Sequence, residues 1–254
     1  MNLLEINDIA EIVTAPDVVR DLREQILDGS IVIKRAAIDA ELVASILSYL
    51  VGIGKHSLPM YSPIEVGHPN FHRLNRSDER SYVEGCFHQF VFYPWNQDLF
   101  DLFALTNDLF RLKSALSGKS PDYYLGKNGR DGIVSRLAFQ FYPSGSGYLN
   151  RHKDPVGPHQ ITIPLVLLSE KGKDFSTGGL FAEDLEGVRH DLDELVSPGD
   201  AVFLDASLVH GVDLIDEGEP TDWLAFRGRW SLIVSTNKVA SETAVADAVD
   251  LGRP

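Results

Sequence analysis

The first third of the chain alternates between helical and extended hydrophobic patterns. Pro16 begins a predicted helix over residues 16–27, whose apolar positions share one face. Residues 30–34 form a short β-branched run. Asp39 then caps a second predicted helix, which is expected to end near Gly52.

The next stretch shows neither a helical nor an alternating pattern of hydrophobic residues. Residues 54–85 mix prolines with His, Asn and Arg, which predicts a long irregular loop of the kind that often covers a site. Residues 96–116 return to helical spacing with a broad apolar face, so a third helix is expected there.

The pattern changes from helical to alternating after Asp131. Leu137, Phe139 and Phe141 share one predicted strand face, and the residues between them share the other. Further short strands are predicted at 160–168, 178–182, 191–196, 200–204, 209–215 and 223–235. This spacing is typical of a jelly roll or barrel and predicts a mainly β protein with flanking helices.

The 254 residues predict one domain in three parts. Residues 1–125 are expected to be helical and loop support with a lid, and residues 126–240 to be the jelly-roll core. The tail over residues 241–254 is expected to be a mobile end or a docked helix.

Composition excludes several classes of partner and site. A net charge of −14 repels phosphate backbones and anionic lipids, which argues against nucleic acid and membrane binding. No apolar run approaches the ~20 residues of a membrane span, so we expect a soluble, cytoplasmic protein. Cys86 is the only cysteine, which excludes an internal disulfide and a thiolate zinc cluster.

One His-x-Asp sequence stands out. His152 and Asp154 follow a predicted strand and its turn, and residues two apart on a strand point the same way. His210 begins a later predicted strand and can supply a third ligand. Two imidazoles and one carboxylate make the facial triad that holds iron(II) and leaves adjacent positions open for a chelating cosubstrate and dioxygen.

Around these ligands the chain resembles the 2-oxoglutarate/Fe(II) oxygenase superfamily, in its prolyl hydroxylase-like and nucleic acid demethylase-like branch. The resemblance covers about residues 134–236. Besides the ligands, it rests on the sequences Tyr142-Pro143-Ser144-Gly145, Thr177-Gly178-Gly179, Ser197-Pro198-Gly199-Asp200-Ala201 and Arg229-Trp230-Ser231. It implies a double-stranded β-helix (cupin-like) core.

The resemblance also implies cofactors and residue roles. Iron(II), 2-oxoglutarate and O2 are the expected cofactors, with Tyr142, Arg229 and Ser231 binding 2-oxoglutarate. A guanidinium fork suits a carboxylate, and Ser231 points to the same side as Arg229. Arg227, two residues earlier, points to the same side of the strand and stays an alternative to Arg229 as the residue that binds the carboxylate.

The substrate is the least specified part of this hypothesis. His72, Arg73, Asn75 and Arg76 lie in the predicted loop and are interpreted as binding an anionic or zwitterionic group, or as a solvated surface. The expected reaction is hydroxylation of a small, amino-acid-like metabolite. The alternatives are a peptide or protein side-chain hydroxylase and a non-catalytic cupin-like binding protein; the oligomeric state is open.

Overall fold

The computed structural model describes residues 1–242 and 245–253. Positions 243, 244 and 254, which belong to the predicted tail, lie outside the described residues. No helix in the described part of the chain is both long enough and apolar enough to cross a membrane.

The described residues form thirteen strands and five helices. The helices are α1 (Ile9–Ile12), α2 (Pro16–Leu27), α3 (Ala40–His56), α4 (Leu102–Leu105) and α5 (Asn107–Leu116). The strands are β1 (Leu3–Ile6), β2 (Ile31–Lys34), β3 (Phe71–Arg76), β4 (Gly85–Phe92), β5 (Ile133–Pro143), β6 (Tyr148–Lys153), β7 (Leu165–Leu167), β8 (Gly179–Glu183), β9 (Arg189–Asp191), β10 (Ala201–Phe203), β11 (His210–Asp213), β12 (Gly228–Lys238) and β13 (Val249–Asp250).

The strands pair in the order β1-β2-β10-β7-β12-β5-β4-β6-β11-β8-β9, with β3 added to β4 and β13 to β6. Ile33 on β2 and Leu180 on β8 stand near opposite ends of this order, yet they belong to one buried cluster. The sheet therefore curls over on itself. The structure confirms the predicted mainly β, double-stranded β-helix class with flanking helices.

Alternation along β5 and β12 separates two cores. Phe139 and Trp230 face outward and pack with the apolar faces of the helices, through residues such as Ile46 and Phe110. Each such buried side chain contributes about 1.5–3 kcal/mol. Tyr142 faces the interior of the roll. The helices thus cover one face of the sheet and leave the other to line an internal cavity.

The predicted stop at Gly52 is wrong, because α3 continues to His56. A Cβ on Gly54 would lie 2.5 Å from the Phe226 ring, so close packing requires that glycine in the last turn of the helix. Packing against the core outweighs the cost of about 1 kcal/mol for a glycine inside a helix.

The predicted loop over residues 54–85 is also wrong in part. Residues Phe71–Arg76 form β3, which pairs along its whole length with β4. β4 in turn joins β5 to β6. Residues 1–125 therefore contribute strands to the sheet as well as helices and loops, because tertiary pairing overrides a weak local pattern.

Two further elements differ from expectation. Residues 96–116 form two helices instead of one, after a turn in which Asp98 accepts hydrogen bonds from the N–H groups of Phe100 and Leu102. In the tail, Val249 and Asp250 pair with β6 as strand β13 and do not form a helix. The single-domain organisation stays a prediction.

Candidate metal centre and its cavity

His152, Asp154 and His210 converge at the end of the β6–β11 pair. The two histidines are direct partners in the strand register. Nε2 of His210 lies 3.3 Å from Oδ2 of Asp154, and Nε2 of His152 lies 4.0 Å from Oδ1 of the same carboxylate. All three potential ligand atoms lie within 4.8 Å of one another. The cluster can hold one metal ion.

Backbone carbonyls orient both imidazoles. Nδ1 of His152 donates to the carbonyl oxygen of Asn150 at 2.8 Å, and Nδ1 of His210 donates to that of Leu208 at 2.9 Å. A carbonyl can only accept, so the proton of the neutral ring is on Nδ1. Each Nε2 therefore offers a lone pair to a metal, as ligating histidines require.

Burial and mutual charge set the protonation of the cluster. Burial lowers the pKa of His152 to about 4, with a further contribution from His210. Burial also opposes the charge on His210, but the hydrogen bond to Asp154, the charge of Asp154 and the hydrogen bond to Leu208 together outweigh burial and raise the pKa of His210. Burial likewise opposes ionisation of Asp154, yet His210 keeps the pKa of Asp154 lowered. Asp154 and His210 therefore each favour the charged form of the other.

The cluster opens into a cavity of about 270 Å³, which Tyr142, Arg229 and Ser231 also line. Arg229 is 1 % exposed. Arg227, the alternative, is exposed and hydrogen-bonds Glu219 at 3.1 Å instead. The structure thus brings Arg229, and not Arg227, to the same cavity as the metal cluster.

A buried acid holds Arg229 in place. Nε of Arg229 donates to Oδ2 of Asp193 at 2.8 Å, while its Nη2 has no hydrogen-bond partner among the described residues. Gly179 makes room for this acid: its φ is +120°, and a Cβ there would lie 2.5 Å from Asp193 Oδ2. The glycine pair of the sequence motif therefore positions the arginine indirectly. The unpartnered Nη2 suits a carboxylate, since a buried donor without a partner costs about 1–3 kcal/mol.

The four residues interpreted as binding substrate lie on strand β3 and not in a loop. Alternation divides them, and only Arg73 lines the cavity. His72 points to the other face, where its Nδ1 lies 2.7 Å from Nε2 of His88. Asn75 is fully buried beneath the turn that follows β3, and Arg76 is exposed. The four therefore do not form one group at the cavity, and a substrate-binding role for Arg73 stays a prediction.

Several lining or supporting residues were missed by sequence reasoning. Arg136 lines the cavity from β5. Its even spacing from Tyr142 on the same strand was the signal that could have predicted this. Gln89 lies on β4, a strand that the hydrophobic pattern did not predict. Asp193 lies in a loop outside the recognised motifs, and no local signal marks it.

Comparison with known proteins identifies the architecture. No family model and no curated protein matches the sequence. Among solved structures, a Pseudomonas putida prolyl-4-hydroxylase aligns with a TM-score of 0.53 at 16% identity, over 88% of this chain and all of the other. The non-haem alpha-ketoglutarate-dependent epimerase SnoN, from nogalamycin biosynthesis, gives 0.51 at 11%, over 93% and 96% of the two chains. JOX2, solved with 2OG, Fe and JA, gives 0.52 at 12%, over 95% and 76%.

The chain has the fold of the iron- and 2-oxoglutarate-dependent oxygenases. The alignment covers 93% of the chain, which is more than the jelly roll alone. The similarity to this oxygenase fold therefore extends into the helical layer. Within the fold, His152, Asp154 and His210 face the cavity from β6, the loop after it and β11.

Proposed function

We propose that the protein is a non-haem iron(II), 2-oxoglutarate-dependent dioxygenase that hydroxylates an unactivated C–H bond of a small, amino-acid-like metabolite. One observation carries the proposal. The His152–Asp154–His210 cluster and the buried Arg229 line the same cavity. A metal site and a carboxylate anchor thus share one cavity.

The ligand set favours iron(II). Two neutral imidazoles and one carboxylate leave three adjacent coordination positions free, whereas a structural zinc site is closed. When bound, iron(II) with 2-oxoglutarate and O2 supplies an oxidant strong enough to remove hydrogen from an unactivated C–H bond.

The arginine anchor suits the far carboxylate of 2-oxoglutarate. Nη2 of Arg229 is unpartnered, and Ser231 on the same strand also lines the cavity. The hydroxyl of Tyr142 donates to Oε1 of Gln140 at 2.6 Å, which holds the ring beside the anchor. A hydrogen bond between charged groups contributes about 1.5–3 kcal/mol, enough to orient the diacid.

Apolar side chains limit the access of water to this end of the cavity. Leu149, Leu180 and Val212 line it. In such surroundings the charge of Arg229 acts on a bound carboxylate more strongly than it would in water. The protein's contribution is to bind, orient and shield the reactants.

The shape of the cavity favours a small substrate over a peptide. Tail residues 245–248 also line it, and β13 pairs the tail with β6. A peptide substrate would need an open groove at this position. A non-catalytic binding protein would not need both a complete ligand set and an anchor.

The experiment is to incubate the protein with iron(II), 2-oxoglutarate and O2 and to measure succinate across a panel of amino acids and related acids. We expect succinate formation that one class of substrate stimulates, and loss of that signal in His210→Ala. Succinate formation equal in both proteins would contradict the proposal.

A further inference from the structure

The end of the cavity away from Arg229 has an excess of positive charge. Among the described residues that line the cavity, five side chains are permanently cationic and two are carboxylates. The cations are Arg73, Arg80, Arg136, Arg229 and Lys238, and the carboxylates are Asp154 and Asp247.

Three of the cations have carboxylate partners. The pairs are Arg229 with Asp193 at 2.8 Å, Arg80 with Asp78 at 2.6 Å, and Lys238 with Asp247 at 2.7 Å. Asp154 belongs to the metal cluster. Arg73 and Arg136 are left over, and we refer to them as the outer arginine pair.

The outer arginine pair has only neutral hydrogen-bond partners. Nε of Arg73 donates to Oε1 of Gln89 at 3.1 Å, and Nε of Arg136 donates to Oγ of Ser235 at 3.4 Å. In the part of the chain that the structure describes, no carboxylate lies within 4.0 Å of either guanidinium. Two unpaired cations beside one cavity are unexpected in a protein with a net charge of −14.

Burial and mutual repulsion make this arrangement costly. Both side chains are partly buried. Burial lowers the pKa of Arg136 to about 10, and the charge of Arg73 lowers it further; burial also lowers the pKa of Arg73. Both groups are nevertheless protonated at neutral pH. A bound anion would relieve the repulsion and the lost solvation together.

Arg136 is too far from Arg229 for the two to bind the same carboxylate, and Arg73 lies close enough to Arg136 for its charge to lower the pKa of Arg136. Arg229 opposes Tyr142 in the strand register, whereas Arg136 opposes Ser235. Six residues of extended strand separate these two rows, roughly 20 Å along the backbone. The Ala138–Ile233 row lies between them. The cavity therefore has cationic groups at both of these rows, with Gln140, Ser231 and Ile233 lining it between them.

We propose that the outer arginine pair binds the anionic end of the substrate, an oxyanion such as a carboxylate, phosphate or sulfate. The apolar body of the substrate then lies along Phe71 and Ile233, which line the cavity, and its C–H bond is held near the metal cluster. This inference rests on the proposed function for its catalytic meaning. Anion binding itself is independent of iron.

The test compares anions with their neutral isosteres. A set of alkyl and aryl carboxylates, phosphates and sulfates is titrated calorimetrically beside the matching amides and alcohols. The protein is used as isolated and again saturated with iron(II) and 2-oxoglutarate under argon. Arg73→Gln and Arg136→Gln are compared with Arg76→Gln, which removes the same charge from an exposed position of β3 outside the cavity.

We expect at least one anion to bind about tenfold or more tightly than its isostere, with that preference lost in Arg73→Gln and Arg136→Gln and kept in Arg76→Gln. The preferred member of the set distinguishes carboxylate, phosphate and sulfate. If no anion binds above its isostere, or if Arg76→Gln loses the preference equally, the inference is wrong. Failure of 2-oxoglutarate to bind with an intact anion preference would overturn the proposed function and leave the inference standing.

Discussion

The hydrogen bond and the charge of Asp154 favour the protonated form of His210 in the metal-free protein and raise the pKa of the imidazole despite its burial. A metal ion must displace that proton, so binding releases it. Below the raised pKa of His210, which lies above 6.5, metal affinity should therefore fall by up to about tenfold per pH unit. Competitive zinc titrations from about pH 6 to 8.5 measure this.

His159→Gln is the control for this prediction. His159 lines the same cavity but is not one of the three residues of the metal cluster. The variant should keep the pH dependence of the wild type. Affinity that does not change with pH in the wild type would show that His210 is not protonated beside Asp154.

Arg229 offers a second test at the level of a single residue. Arg229→Lys keeps the charge beside Asp193 but removes the planar fork, so 2-oxoglutarate should bind on the order of 10- to 100-fold more weakly. Calorimetric titration of the metal-loaded protein measures the change. Arg227→Lys changes the exposed alternative and should bind 2-oxoglutarate as the wild type does. Weaker binding in Arg227→Lys with unchanged binding in Arg229→Lys would assign the anchor to Arg227.

Residues on strands were predictable to the extent that alternation applies. His152 and Asp154 were predicted because residues two apart on a strand point the same way, whereas Arg229 was predicted from the family resemblance and shares its direction with Ser231. The same rule pointed to Arg136, which shares the parity of Tyr142, but a lone arginine on a strand has no motif to mark it. Asp193 could not be predicted, because only the fold brings it to Arg229.

The glycine pair at the start of β8 links an element to the cofactor site. A Cβ on Gly179 would collide with Asp193, and its φ of +120° is strained for other residues. Gly179→Ala should therefore destabilise the protein by about 1–3 kcal/mol and weaken 2-oxoglutarate binding as well. Denaturant unfolding and calorimetry measure the two effects.

Gly187→Ala is the control that separates backbone strain at a positive φ from the collision of a Cβ with a neighbouring side chain. Gly187 also has a positive φ, of +79°, but nothing lies within 4 Å of the position of its Cβ. We expect a stability loss of about 1 kcal/mol and unchanged 2-oxoglutarate affinity. If both variants lose affinity equally, Gly179 does not act through Asp193.

Among the elements, those with strong local signals were predicted best. Helix α2 begins at Pro16 and ends at Leu27, as its pattern indicated. Strand β3 was missed because its sequence, FHRLNR, has a weak alternation that is stabilised by pairing with β4. β4 itself is buried at every position, so it shows no alternation.

At the scale of the whole molecule, one buried lysine should dominate the alkaline pH dependence of stability. Burial lowers the pKa of Lys113 to about 7, against 10.5 for the free side chain. Between these values the unfolded chain holds a proton that the folded protein lacks, so stability rises with pH by up to about 1.4 kcal/mol per unit. Below about pH 7 the lysine is protonated in both states and contributes no slope.

Urea unfolding of the metal-free protein at about pH 7 and about pH 9 tests this. The wild type should be more stable at the higher pH, and Lys113→Met should lose that difference. Lys113→Met also leaves the acceptors Gln160 Oε1 and the Thr162 carbonyl without their donor, so its absolute stability is not the readout. An equal gain in both proteins would exclude Lys113 as the cause.

The overall architecture followed from many short strands after a helical first part, and the comparison with solved structures agrees with it. The curl of the sheet did not follow from any local pattern. It depends on contacts between strands far apart in the pairing order, such as those that join Ile33 and Leu180 in one core. The cavity, and hence the outer arginine pair, exists only because of that curl.

The most direct measurement of the central claim is an anaerobic titration of the protein with iron(II) and then 2-oxoglutarate, followed by visible absorption. We predict a charge-transfer band that saturates at one iron per chain, weakens in Arg229→Lys at subsaturating 2-oxoglutarate, and is absent in His210→Ala. Bound iron without such a band in the wild type, or an undiminished band in His210→Ala, would contradict the assignment of this cluster as the centre that holds the cosubstrate.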